Sequence, residues 1–130
     1  VTTSEALATL LQEAGQGTLG VDLYWDHLPD TPTPALAVVV SEELWERGSH
    51  DAAAPSMVAE LVQIVSRAAT VEDARARADA AQAALARRWD RNMGGLVLHI
   101  VLRRRRPWVV ELTPGAREVV AVAEVEAVSS

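Results

Sequence analysis

Met57 to Arg67 reads MVAELVQIVSR, and the character of this stretch decides the fold. In an extended chain Val58, Glu60, Val62, Ile64 and Ser66 point one way, and Ala59, Leu61, Gln63, Val65 and Arg67 point the other. Both sets are mostly apolar, so the stretch predicts a central strand covered on at least part of each side. A helix is expected directly after it. Thr70 is a plausible N-cap, and Glu72 and Asp73 put negative charge in the first turn, where the helix dipole favours it. Ala74, Ala78, Ala81, Leu85 and Trp89 recur at helical spacing, Arg87 and Arg88 lie near the C-terminal end, and Gly94-Gly95 marks the exit. Leu96 to Leu102 reads as the next strand. Small alanines let the helix axis approach a sheet closely, with Leu85 and Trp89 supplying most of the buried area. The strand, helix and strand from Ser56 to Leu102 are the unit onto which the rest is expected to dock.

Upstream, Thr2, Thr3 or Ser4 can cap a first helix that ends at Gly15, with Leu7, Leu10, Leu11 and Ala14 as its apolar stripe. Val21 to Trp25 is a short strand candidate. Pro29, Pro32 and Pro34 stiffen the loop that follows, and Ala35 to Val40 is a second strand. Ser41 to Pro55 is polar and acidic and reads as a long loop. Downstream, Arg103 to Arg106 and Pro107 suggest a hairpin tip or a frayed strand end. Trp108 to Leu112 is a strand, Thr113-Pro114-Gly115 a tight turn, and Arg117 to Val128 a long last strand with one wet face. The expected fold is α+β: a mainly antiparallel sheet of about five strands with two helices packed on one face.

A chain of 130 residues predicts one domain, 1–130. A hydrophobic content of 49% places it among globular chains rather than disordered ones. No apolar run is long enough to suggest a membrane span, and no signal peptide is expected ahead of the first helix. There is no cysteine, so disulfides and thiol catalysis are excluded. The basic residues are arginines without lysine, a bias of coding rather than of function. The net charge of −6 argues against wholesale nucleic-acid binding.

Catalytic constellations are hard to find. GQGTLG, Gly15 to Gly20, matches the spacing of a dinucleotide fingerprint. That fingerprint must follow a strand and open a helix, whereas these glycines follow a helix and precede a strand, so they read as a helix stop. Asp22, Asp26 and His27 could be imagined as metal ligands, but no histidine pair has ligand spacing. Ser49, His50 and Asp51 are triad residue types in consecutive positions, and consecutive side chains point apart. His99 alternates into a strand. No catalytic, cofactor-binding or metal site is expected.

Two features remain. The run Arg103 to Arg106 is either a solvated tip that discourages edge pairing or a basic surface for an acidic partner. Trp45, in the acidic stretch SEELWER, either docks on its own sheet or anchors a protein interface. Together they define a candidate subunit interface of Glu42, Glu43, Trp45, Arg103, Arg105 and Trp108.

Gly17 to Val40, GTLGVDLYWDHLPDTPTPALAVVV, carries a resemblance. Gly-x-Leu-Gly after a first helix, Asp-Leu-aromatic, Leu-Pro-Asp-x-Pro and an Ala-Leu-Ala-Val strand resemble the tail-terminator and minor capsid proteins of tailed bacteriophages. The element order agrees over nearly the whole chain, and Val62 to Arg67 fits the short apolar-arginine strand that such proteins keep before the second helix. The resemblance implies a structural virion protein without enzymatic activity or cofactor, located in the tail or neck and assembled in the host cytoplasm. Tail terminators form a ring, commonly hexameric, that caps the tail tube and meets the neck. The implied partners are further copies of the chain, the tail-tube protein and a neck or head-completion protein. No membrane and no specific nucleic acid are implied, although genome DNA passes through such rings. A neck or head-completion role, or a small ligand-binding α+β domain, are the alternatives.

Overall fold

A computed structural model describes residues 2–29, 34–47, 57–86, 91–93, 96–102, 107–112 and 119–129. The elements in chain order are α1 (Thr3–Glu13), β1 (Leu23–Trp25), β2 (Ala35–Arg47), β3 (Met57–Ala68), α2 (Val71–Ala86), β4 (Arg91–Met93), β5 (Leu96–Leu102), β6 (Trp108–Leu112) and β7 (Val119–Ser129). They form a single mixed sheet ordered β1-β2-β3-β7-β5-β4, with β6 also paired to β7. Every pairing is antiparallel except β1 with β2. The α+β class and the mainly antiparallel sheet are as the sequence implies, with seven strands instead of about five.

Local chemistry accounts for the helix ends. Thr2 is the N-cap of α1, its hydroxyl accepting from the Glu5 amide at 3.3 Å. At the other end the Gln16 amide reaches the Leu11 carbonyl and the Gly15 amide reaches that of Gln12. This is a Schellman closure around Gly15, whose φ of +78° a residue with a Cβ adopts only with strain. Thr70 caps α2, its hydroxyl accepting from the Asp73 amide at 3.1 Å.

Both helices pack on the same face of the sheet. Leu7, Leu10 and Leu11 of α1 bury against Leu23, Leu36 and Val38. Ala78, Ala81 and Leu85 of α2 lie over Val62, Ile64, Ala123, Val125 and Ala127 in the same core. Alanine meets alanine where α2 crosses β7, so backbone approaches backbone and Leu85 fills the remaining volume. The expected stripe is confirmed at Ala74, Ala78, Ala81 and Leu85, all fully buried; Trp89 lies outside the described residues. Arg91–Met93, expected near the helix exit, forms strand β4 instead. It pairs with Leu96–Leu98 across Gly94-Gly95, a dipeptide suited to a two-residue hairpin connection.

Two expectations are corrected by the pairing. The first is the long loop from Ser41 to Pro55. β2 continues to Arg47 and stays in register with β3 as far as Arg47↔Met57, so Glu42, Glu43 and Trp45 are strand residues. The stretch hides its strand character because register shifts at Ser41 and Leu44 break the period-two alternation. The Ser41 hydroxyl donates to the Leu61 carbonyl at 3.1 Å and ties the first bulge to β3. Residues 48–55 lie outside the described set.

The second correction concerns the hairpin tip at Arg103 to Arg106. β5 and β6 both run antiparallel to β7 along the same edge, so they run in the same direction and are not the two arms of a hairpin. The register runs from Leu102↔Val125 to Trp108↔Val122, so β7 advances through Ala123 and Glu124 while the opposing chain advances through 103–107. The arginines themselves lie outside the described residues. The last strand also lacks one uniformly wet face. Val120, Glu126 and Val128 are half-buried, but Val122 and Glu124 are buried at 4% and 9% exposure.

Candidate functional site

The turn from Gly15 to Asp22 shows what the glycine-rich segment does. A bound phosphate would need free amides here. Instead the Thr18 amide donates to Asp22 Oδ1 at 2.7 Å and the Leu19 amide to Gln12 Oε1 at 2.8 Å. The Asp22 carboxylate thus sits where an anion would have to sit. Arg77 of α2 reaches across to this turn, its Nη2 donating to the Gln16 carbonyl at 3.2 Å and to Asp22 Oδ2 at 3.3 Å. Gly17 lies under that clasp, and a Cβ there would come within 3.0 Å of Leu23 Cβ and 3.1 Å of Asp22 Oδ1. The segment is a structural closure that locks α1, β1 and α2 together.

The other candidates for chemistry disperse. Asp26 takes a φ of +71°, accepts a hydrogen bond from the buried Ser4 hydroxyl, and donates its amide to the Val38 carbonyl at 2.8 Å. It staples the start of α1 to the end of β1, and His27 follows it in an exposed bend. No cluster of three metal-ligating side chains occurs among the described residues. Ser49, His50 and Asp51 lie outside them, and His99 occupies a register position opposite Val128. A hollow of about 540 Å³ opens on the outer side of α2, lined by Arg75, Ala76, Asp79 and Pro107, with no buried polar group to give it chemistry.

The sheet edges are a better site. β2 pairs with β3 along its length, but β1 covers its outer edge only from Leu36 to Val38. Among the described residues the outer edge from Val39 to Arg47 has no strand partner. Glu42 and Glu43 are exposed there, on opposite faces of the sheet by their register with Leu61 and Glu60. Glu43 stands directly across from Glu60, whose carboxylate accepts from the Thr3 hydroxyl at 2.8 Å. Like charges in cross-strand register are unfavourable, so this edge holds more acid than the fold itself wants.

Trp25 closes the adjoining edge strand and is 37% exposed; Val21, in the turn that enters it, is 61% exposed. These exposed apolar residues were missed as site candidates in the sequence, because Val21 to Trp25 reads simply as a strand. The signal available was the brevity of that run: three paired residues cannot bury an aromatic at their end.

On the far edge β6 pairs with β7 and, among the described residues, with no other strand. Trp108, half-buried, stands opposite Val122 on β7, and Trp45 occupies a β2 position in register with Ala59 of β3. Three strand spacings, ~14 Å in all, separate their strands. Arg103 and Arg105 immediately precede β6 in sequence and lie outside the described residues. The structure therefore puts Glu42, Glu43 and Trp45 on β2 and Trp108 on β6, on opposite sides of the β3–β7 pair. No protein-family model matches the chain, and no curated protein matches it either.

Proposed function

We propose that the chain is a structural virion protein of a tailed bacteriophage, a tail terminator whose copies form a ring that caps the tail tube and meets the neck. The observation that supports this most directly is the pair of unlike open edges on one sheet. The β2 edge carries Glu42 and Glu43, with Trp25 exposed beside it, and the β6 edge follows a run of arginines. A ring joins one face of each protomer to a different face of the next, and unlike edges suit that geometry. The resemblance of Gly17 to Val40 to tail terminators supplies the biological setting. The engaged amides of Thr18 and Leu19 weigh against the ligand-binding alternative, because they leave no anion cradle in the only phosphate-like motif of the sequence.

The function proposed is mechanical. Copies close a ring, the ring stops tube growth, and its outer surface receives the neck protein while DNA passes through the centre. The test is to add the purified chain to uncapped tail tubes and image the products by electron microscopy. Rings at tube ends and tubes of uniform length are expected. Tubes that keep growing with no ring at their ends would defeat the reading. Saturable ATP or NAD binding at micromolar concentration would turn it toward the ligand-binding alternative. Rings that cap heads rather than tubes would favour a head-completion role.

A further inference from the structure

We infer that the outer edge of β2 beyond β1 receives an extended basic segment of another protein by strand addition, the guest lying in line with β1. The inference shares the β2 edge with the assembly reading but needs no ring. A guest strand and a neighbouring copy exclude each other there.

The backbone shows where the guest fits. The Leu36 amide donates to the Asp22 carbonyl and the Asp26 amide to the Val38 carbonyl, both at 2.8 Å, so Leu36 and Val38 turn their backbone groups toward β1. Asp26 then takes a φ of +71°, its carboxylate held by the Ser4 hydroxyl, and pairing with β2 stops. Two residues past Val38, strand alternation turns the N–H and C=O of Val40 to the same outer side, where no described strand meets them. Beyond the Ser41 bulge the next outward position is Glu43. Its register partner Glu60, like Val62 opposite Val40, turns its backbone toward β7. Unpaired groups on a sheet edge are a template for a strand. The bulges at Ser41 and Leu44 divide this edge into short lengths, which suits a short guest and resists endless sheet growth.

The side chains along the edge set the character of the guest. Trp25 is in register with Val38, so by the pleat it shares the helix-bearing face with Val40. Glu43 and Glu60 follow on that face as a cross-strand pair of like charge, and the exposed Glu42 stands on the other face. Among the described residues no arginine pairs with Glu43 or Glu60. A guest strand sends successive side chains to opposite faces. An apolar residue meets Val40 and Trp25, and two adjacent basic residues then meet Glu43 and Glu42. A cation beside Glu43 also relieves its repulsion with Glu60.

The probe is a synthetic peptide of alternating valine and threonine, as long as the open run, with two adjacent arginines at its centre. One control carries glutamates in place of the arginines. A second keeps the arginines and has alternate amides N-methylated, so that it cannot join a ladder. Fluorescence anisotropy of the labelled peptides measures binding, and amide hydrogen exchange by NMR reads the edge. The arginine peptide is expected to bind saturably below millimolar concentration and to slow exchange at the Val40 and Glu43 amides. Each control is expected to bind at least about tenfold more weakly. Glu42→Gln with Glu43→Gln, shown to be folded by circular dichroism and urea denaturation, is expected to weaken the arginine peptide by about tenfold as well. Absence of saturable binding, equal binding of the glutamate peptide, or equal binding of the N-methylated peptide would each overturn the inference. So would Val40 and Glu43 amides already protected in the free protein, because the edge would then be covered. Tube capping is assayed without the peptide, so the tail-terminator reading and this one fail separately.

Discussion

Gln82 donates from Nε2 to the carbonyl of Glu124 at 2.7 Å, with both residues buried, at an interval of β7 that has no ladder partner from β5 or β6 among the described residues. The helix thus reaches into the sheet and completes it with a side chain. Buried carbonyls are held by donors, and here α2 supplies a side-chain amide to one of them.

Gln82→Ala should therefore destabilise the protein by about 1–3 kcal/mol, the cost of stranding a buried polar group. Gln82→Glu is the sharper test. A protonated carboxyl can still donate to the Glu124 carbonyl, but an ionised one cannot, so folding raises the pKa of the new group. The variant should hold most of its stability below the unfolded glutamate value of ~4.3 and lose it as pH rises toward the folded value. Urea denaturation between acid and neutral pH reads this directly; a profile parallel to wild type would mean that Gln82 is not completing the sheet.

Leu85→Ala should cost about 2–5 kcal/mol. Leu85 is fully buried in the core shared by α1, α2 and the sheet, so truncating it leaves a cavity there. A loss below about 0.5 kcal/mol in equilibrium denaturation would be inconsistent with that packing.

The two glycines of the α1 closure should separate under substitution. Gly15 sits at φ +78° with open space around it, and asparagine tolerates that conformation, so Gly15→Asn should be nearly neutral. Gly17 has ordinary space for no side chain, with Leu23, Asp22 and Arg77 all within 3.3 Å of a Cβ. Gly17→Asn should displace Asp22 and cost about 1–3 kcal/mol. Equal melting temperatures for the two variants would rule out the close approach as the reason for Gly17.

Glu43→Gln should stabilise the monomer by about 0.2–1 kcal/mol by removing the like-charge pair with Glu60. The same substitution should weaken self-association. Opposite signs from one substitution, measured by thermal denaturation and by sedimentation, would mark Glu43 as serving assembly at the expense of folding. A loss of stability would show that Glu60 is content with its neighbour.

Trp25→Ala should leave the fold nearly unchanged, since more than a third of the ring is already exposed, yet reduce association by about tenfold or more. Unaltered sedimentation would remove Trp25 from the contact.

The parts of the fold readable from sequence are those where period and position agree. Leu7, Leu10 and Leu11 gave the buried face of α1, Thr70 gave the start of α2, and the doubly apolar Met57 to Arg67 gave the central strand. What escaped was wherever the period is interrupted. Ser41 and Leu44 are bulged residues, so Glu42 to Trp45 looked like loop. The break between β5 and β6 looked like a reversal, because four arginines resemble a tip and nothing local says that Leu102 and Trp108 return to the same edge. Gln82 was legible in principle: it falls inside the buried stripe of Ala78, Ala81 and Leu85, and a lone amide in such a stripe asks for a partner. Its partner, a backbone carbonyl on a strand far along the chain, was not. Of the candidate interface, the charges were visible and the place of Glu42 and Glu43 on a strand edge was not.

β7 pairs with β3 on one side and with β5 and β6 on the other, and it is the last strand in chain order. During synthesis β3, β5 and β6 must wait for it to complete their pairing. The hairpin of β2 and β3 can form early, but β3 lacks its second neighbour and α2 lacks most of the surface it covers until Val119 to Ser129 has emerged from the ribosome. The decisive contacts join residues some sixty positions apart, such as Val62 with Val125. Closing loops of that length is slow compared with local pairing. The sheet is therefore expected to close only once β7 has been made, and to expose the bare flank of β3 throughout that delay.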